Sequence, residues 1–146
     1  MTDRTGHCLC GQVRFAARLA TTEFGACHCE MCRRWTGSAL LAITVADGDL
    51  TLEGVEHVRS YRSSDWAERG WCGTCGSHLW YRVTLEGPHK GEYEIPVGLL
   101  DDTAGLNMTR EIFVDRKPEF FSFAGDHEQL TEAQVLALYG QTTEGA

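Results

Sequence analysis

Seven cysteines fall in three tight clusters, Cys8-Leu9-Cys10, Cys27-His28-Cys29-Glu30-Met31-Cys32 and Cys72-Gly73-Thr74-Cys75, and they constrain the fold more than any other feature of the chain. Each cluster has metal-ligand spacing. Seven thiolate donors divide naturally into one closed four-thiolate site and one three-thiolate site that keeps a fourth position open. An odd count also argues against complete pairing as disulfides within the chain. A chain that brings residues 8, 10, 72 and 75 to one ion must fold its N-terminal segment onto its middle.

The compartment supports metal over disulfide. At 146 residues and 42% hydrophobic content, the chain falls in the range of one domain, expected to span residues 1–146, with enough apolar material for a core. The first residues carry no apolar signal core, and no apolar run approaches the ~20 residues of a spanning helix. The expectation is a soluble cytoplasmic protein with no membrane partner. Thiols in a reducing cytosol bind metal or do redox chemistry more often than they form structural disulfides. The net charge of -8, with Arg33-Arg34 the one paired basic spot, excludes the clustered cationic surface of a nucleic-acid binder.

Turn signals spread through the whole chain point to a mainly β domain of short strands, without repeats or linkers. Residues 12–19 alternate, with Val13 and Phe15 on one face and Gln12 and Arg14 on the other. A short helical turn is expected over 30–36, a buried strand over 39–45, and shorter strands over 50–53 and 58–62. Leu79, Tyr81, Val83 and Leu85 alternate with His78, Trp80, Arg82 and Thr84 as a half-buried strand would, and Tyr93, Ile95 and Val97 repeat the pattern up to Pro96. The clearest helix covers 132–139: Thr131 and Gln134 form a capping box, Leu130 can staple onto Val135, and Gly140 sits at the C-terminal cap. Residues 141–146 are expected to fray.

Zinc holds thiolates at ~2.3 Å, which brings tetrahedral sulfurs to within ~3.8 Å of one another. Cys72-Gly73-Thr74-Cys75-Gly76 supplies a tight turn whose glycines tolerate the required dihedrals. Cys8 and Cys10, two apart, project to one face if extended, with Gly11 giving room to bend. Together the four are expected to form a structural zinc site, whose metal the fold should need; reduced buried cysteines are the bland alternative. Cys27, Cys29 and Cys32 supply three thiolates within six residues, the ligand count of an open catalytic site. His28 or His78 could instead close it, although His28 projects away from its neighbours in an extended chain. Tetrahedral sulfur also suits iron.

These residues resemble the glutathione-dependent formaldehyde-activating (GFA) family, which is related to centromere protein V. The matching stretches are Gly6-His7-Cys8-Leu9-Cys10-Gly11-Gln12-Val13, Cys27 to Arg33, Thr36-Gly37-Ser38, Cys72 to Leu79 and Val97 to Asp102, in family order over about residues 6–121. The resemblance implies a β-tent fold of small antiparallel sheets with a short C-terminal helix. It places Cys8, Cys10, Cys72 and Cys75 on structural zinc and Cys27, Cys29 and Cys32 on a second, catalytic zinc, giving two ions per chain. It also implies a carbon-sulfur lyase that condenses formaldehyde with glutathione to S-(hydroxymethyl)glutathione. Two positions depart from the family pattern: Glu111 stands where the family usually has His, and Phe120 where Trp is frequent.

A thiol entering the open position would be held as a thiolate and could attack an aldehyde carbon. Arg33 and Arg34 could meet a substrate carboxylate, or form a solvated pair. Trp35 reads as packing, Ser38 as a turn residue, and Asp101-Asp102 as a turn. His7, His57, His89 and His127 read as surface or packing residues, and Glu111 as an ordinary ion pair or solvent contact, with a polar group near the second site as the alternative. The expected partners are a small-molecule thiol and an aldehyde. Two other functions fit the same cysteines: a noncatalytic zinc-stabilised interaction module, and a thiol redox switch at Cys27, Cys29 and Cys32.

Overall fold

The computed structural model describes residues 2–139, so the expected cap at Gly140 and the frayed end at 141–146 lie outside the described residues. In chain order the first elements are β1 (Thr2–His7), β2 (Arg14–Leu19), β3 (Glu23–Cys27), α1 (Glu30–Thr36), β4 (Leu40–Val45), β5 (Leu50–Glu53) and β6 (Val58–Arg62). They are followed by β7 (Ala67–Cys72), β8 (His78–Val83), β9 (Tyr93–Pro96), β10 (Asn107–Ile112), β11 (Glu128–Leu130) and α2 (Glu132–Tyr139). The protein is mainly β, with a short C-terminal helix. Backbone contacts group it into two compact units, one of residues up to 22 and 43–106, the other of residues 23–42 and 107 onward.

The first unit is antiparallel throughout its paired strands. β2 lies between β1 and β5, with Thr2 opposite Leu19 and Arg14 opposite Glu53. Its period-two pattern is realised: Phe15, Ala17 and Leu19 are buried while Arg14, Ala16 and Arg18 face out. The strand begins at Arg14 and not at residue 12, because the chain there is still closing a turn around Cys8. β6, β7, β8 and β9 form an antiparallel meander. The half-buried alternation expected of β8 is not found: Leu79, Trp80 and Tyr81 are all buried. Trp80 loses its solvent side because it covers the Gly70 backbone, where an added Cβ would lie 2.7 Å from the indole, and meets Tyr93 edge-on at 5.4 Å.

One glycine in this unit is required by two independent constraints. Gly54, just after β5, has φ +81, and a Cβ there would lie 1.8 Å from the carbonyl oxygen of Gln12. Left-handed backbone costs an L-residue roughly 1–2 kcal/mol, and overpacking typically adds another ~1–3. Gly54→Ala is therefore expected to destabilise the protein by about 2 kcal/mol or more, read as a lowered midpoint in denaturant at unchanged slope.

In the second unit β3 pairs antiparallel with the start of β4, and Cys27 lies opposite Leu40. To the expected antiparallel pairings this unit adds two parallel ones, β10 on β3 and β11 on β10. Parallel neighbours need long crossovers, and both connections supply them. α1 covers residues 30–36 as expected, and Gly37 at φ 85 ends it by donating its N–H to the Arg33 carbonyl. α2 has the expected bounds and a complete capping box: Thr131 N–H donates to Gln134 Oε1 at 2.8 Å and Gln134 N–H to Thr131 Oγ1 at 3.3 Å. Val135 is buried with Cys27, Cys29, Cys32, Leu40, Ala42 and Phe113, and Leu130 packs against the same cluster. The three thiols are thus the centre of this unit's core. No helix among the described residues is long and apolar enough to cross a membrane.

Candidate metal centres

Two turns of the first unit build the four-cysteine cluster. Contrary to the extended segment expected, Cys8 to Gly11 is a turn, closed by Gly11 N–H donating to the Cys8 carbonyl at 3.1 Å with Gly11 at φ 80. An extended Cys-x-Cys would set both sulfurs on one face but leave the chain straight; the turn curls them around a point. The second turn is closed by Gly76 N–H on the Cys72 carbonyl at 2.8 Å, with Gly76 again at φ 80. The Ser77 hydroxyl joins the two turns: it accepts from Leu9 N–H at 2.9 Å and lies 3.3 Å from Cys75 Sγ.

All four sulfurs lie within 4.8 Å of one another. Cys8 and Cys10 Sγ are 3.6 Å apart, and Cys10 and Cys72 Sγ 3.8 Å. A disulfide would need about 2.05 Å, whereas ~3.8 Å is the edge of a zinc–thiolate tetrahedron. Cys8 and Cys72 are buried, Cys75 is half-buried and Cys10 exposed. Desolvation opposes ionisation of Cys75, but hydrogen bonds from the Ser77 side chain and backbone outweigh it and bring the thiol down to about 5. At Cys10 a backbone bond at Gln12 favours the thiolate, yet desolvation and the neighbouring thiols prevail and push it up to about 12. A cation among them would favour the ionised form of all four.

The second unit holds Cys27, Cys29 and Cys32, all buried, with sulfurs again within 4.8 Å of one another. Cys27 ends β3. Cys29 caps α1, its sulfur accepting the Cys32 N–H at 3.3 Å, so the helix start itself gathers two of the three sulfurs. Hydrogen bonding with Cys29 and Cys32, then burial, holds the Cys27 thiol well above its ordinary value. Three buried thiols competing for charge are the donor set a thiophilic cation relieves. Among the described residues no histidine or carboxylate belongs to this group. Phe113 packs on it from a left-handed backbone, φ 57 and ψ 41, a conformation uncommon in a residue with a bulky side chain.

His28, weighed in the sequence as a fourth ligand, is committed elsewhere. Its Nε2–H donates to Glu111 Oε1 at 2.6 Å, and its ring lies 5.9 Å from Phe121 and 5.8 Å from Phe123. Glu111 Oε2 accepts from His127 Nε2–H and from the Gln129 amide. The His28, Glu111 and His127 side chains are only 1%, 2% and 2% exposed. Desolvation would raise the Glu111 carboxyl, but the hydrogen bonds from His127, His28 and Gln129 together hold it below its ordinary value. Glu111 does form ion pairs, as the sequence suggests, but nothing in its local pattern names His28 and His127 as the partners, and His127 is not the surface or packing residue expected.

The remaining candidates separate clearly. Arg34 Nε pairs with Glu30 at 3.0 Å on the exposed face of α1, while Arg33 is half-buried. Trp35 packs against the three-cysteine cluster. Ser38 closes a turn with the Thr36 hydroxyl. Asp101 accepts from Thr5 Oγ1 and Asp102 from the Ala104 N–H, structural roles as expected.

Fold and sites together define a mainly β protein built on two cysteine clusters, four and three, each able to hold a metal ion. The model of the glutathione-dependent formaldehyde-activating enzyme family matches residues 3–116, and the chain belongs to that family. A Schizosaccharomyces pombe protein named as an uncharacterized lyase is 29% identical over 136 residues, covering 93% of this chain and 96% of its own. A Rhodobacter sphaeroides protein of known crystal structure superposes with a TM-score of 0.57 at 28% identity, over 70% of this chain and 90% of that one.

Proposed function

We propose that the protein is a GFA-type lyase using two zinc ions, one structural on Cys8, Cys10, Cys72 and Cys75 and one catalytic on Cys27, Cys29 and Cys32. Its reaction is the reversible addition of a glutathione-like thiol to a small aldehyde, forming one S–C bond while the thiol proton ends on the former carbonyl oxygen. The observation that carries this reading is the buried group of three sulfurs with no further protein ligand among the described residues. Family membership and the lyase name of the yeast relative support it.

Cys27, Cys29 and Cys32 would hold the ion, which would supply a position for a further ligand and favour the ionised form of a thiol placed there. Cys29 and Cys32 are held by the start of α1, and Cys27 by the end of β3, so the three donors sit on regular elements. Phe113, Met31 and Trp35 pack around them and limit water. Arg34 is engaged with Glu30, which leaves Arg33 as the better residue to meet a substrate carboxylate.

The test mixes glutathione and formaldehyde and follows exchange of the hydroxymethyl group by NMR. The as-purified protein should carry two zinc ions and raise the exchange rate above the uncatalysed one, chelation should remove the increase, and added zinc should restore it. An unchanged rate with two ions bound would reject this substrate pair, and with it the proposed reaction.

A further inference from the structure

The buried carboxylate of Glu111 lies outside the three-cysteine group yet grips the segment that carries it. β10 pairs with β3 so that Glu111 faces Ala26 and Ile112 faces Cys27. The next residue, His28, is held twice by consecutive residues of β10: its N–H donates to the Ile112 carbonyl at 3.1 Å, and its ring donates to Glu111 at 2.6 Å. Phe121 and Phe123 fix the ring from the side. In extended chain, successive side chains point to opposite faces. Anchoring His28 on one face therefore sets where Cys27 and Cys29 project on the other. The carboxylate is locked in turn by His127 and Gln129 on its second oxygen.

We propose that Glu111 is a positioning residue for the three-cysteine metal site, clamping His28 between Cys27 and Cys29 while His127 clamps Glu111. The proposal rests on the reading of those cysteines as a metal site. Stability alone is a weak reason for such an arrangement, because a buried carboxylate among imidazoles recovers little more than its desolvation cost, and apolar residues of similar volume often serve as well. Its place beside two candidate ligands gives it a use that apolar packing could not supply, a directional bond that fixes the orientation of one ring. Gln at position 111 would keep the shape, but its amide nitrogen cannot accept a hydrogen bond, so one of the two imidazoles loses its acceptor.

Zinc-loaded wild type, Glu111→Gln and His127→Phe are titrated with a chromophoric chelator that resolves a tight and a weaker class of bound ion, and the weaker class is replaced with cobalt for its ligand-field spectrum. Outer partners of metal ligands typically contribute 10–100-fold to affinity. Glu111→Gln is expected to weaken the weaker class by about that factor, to shift its cobalt spectrum, and to leave the tight class unchanged. His127→Phe should weaken the same class by less. A folded Glu111→Gln protein with both classes and the cobalt spectrum unchanged would overturn the proposal alone. Parallel weakening of both classes with loss of thermal stability would overturn it in favour of a purely structural role. If Glu111→Gln does not fold, His127→Phe decides: weakening confined to the weaker class supports the clamp, and no change overturns it. Wild type that binds a single class of ion would overturn the metal reading and the clamp together.

Discussion

Cys72→Ser is expected to cost the protein its fold as well as an ion. The four sulfurs come from two turns whose cysteines stand 62 residues apart at Cys10 and Cys72, and the cluster, with the Ser77 hydroxyl, ties these turns to each other. Structural zinc contributes an apparent ~10–16 kcal/mol in small metal domains, while a whole domain is stable by only about 5–15. Losing even a third of the former removes much of the latter. Serine is nearly isosteric but a poor zinc ligand at neutral pH, so cavity formation does not confuse the result. The variant should retain at most one ion per chain, lose its cooperative melting transition and go into inclusion bodies. Wild type treated with a strong chelator should lose the same transition. Circular dichroism melts with metal analysis check both; a variant that keeps two ions and melts with wild type would show that the cluster is not structural.

The cysteine clusters were legible because their residues announce themselves by local spacing, and the helix over residues 132–139 because capping box, staple and apolar face are all local. Strands 50–53 and 58–62 were legible for a similar reason, being bounded by turn residues. What failed was whatever the side-chain pattern of the segment itself does not encode. The turn at Cys8 to Gly11 looks extended until Val13 folds back onto Cys8, its N–H reaching the Cys8 sulfur at 3.4 Å. Trp80 looked solvent-facing because the pattern of β8 says nothing of a glycine at position 70 that lets an indole lie flat on the next strand. His28 and Glu111 are 83 residues apart, and only parallel pairing of β3 with β10 brings them together. Glu111 did leave one trace in the sequence, as the acidic residue at a position where the family usually has histidine. The left-handed backbone of Phe113 left none, since nothing in its side chain favours positive φ.

Cys32→Ser should abolish turnover while leaving the fold in place, the opposite pairing of effects from Cys72→Ser. Cys32 lies in the first turn of α1, and its contribution to the Cys29 cap is its backbone N–H, which serine retains. The helix therefore still starts at Cys29. A hydroxyl among Cys27, Cys29, Leu40 and Phe113 buries a polar group in a largely apolar site, at a cost of about 1–3 kcal/mol, survivable by a domain whose four-cysteine cluster is intact. The three-thiolate site fares worse: with a third of its donors gone, the loss should exceed the ~10–100-fold typical of merely outer partners. Expected are one zinc ion per chain in place of two, a melting transition shifted by a few degrees and still cooperative, and hydroxymethyl exchange at the uncatalysed rate. Adding excess zinc should not restore activity at concentrations that reactivate chelated wild type. If the variant instead bound two ions and turned over as wild type does, Cys32 would be an ordinary core thiol. The proposed reaction would then have to be sought away from this cluster.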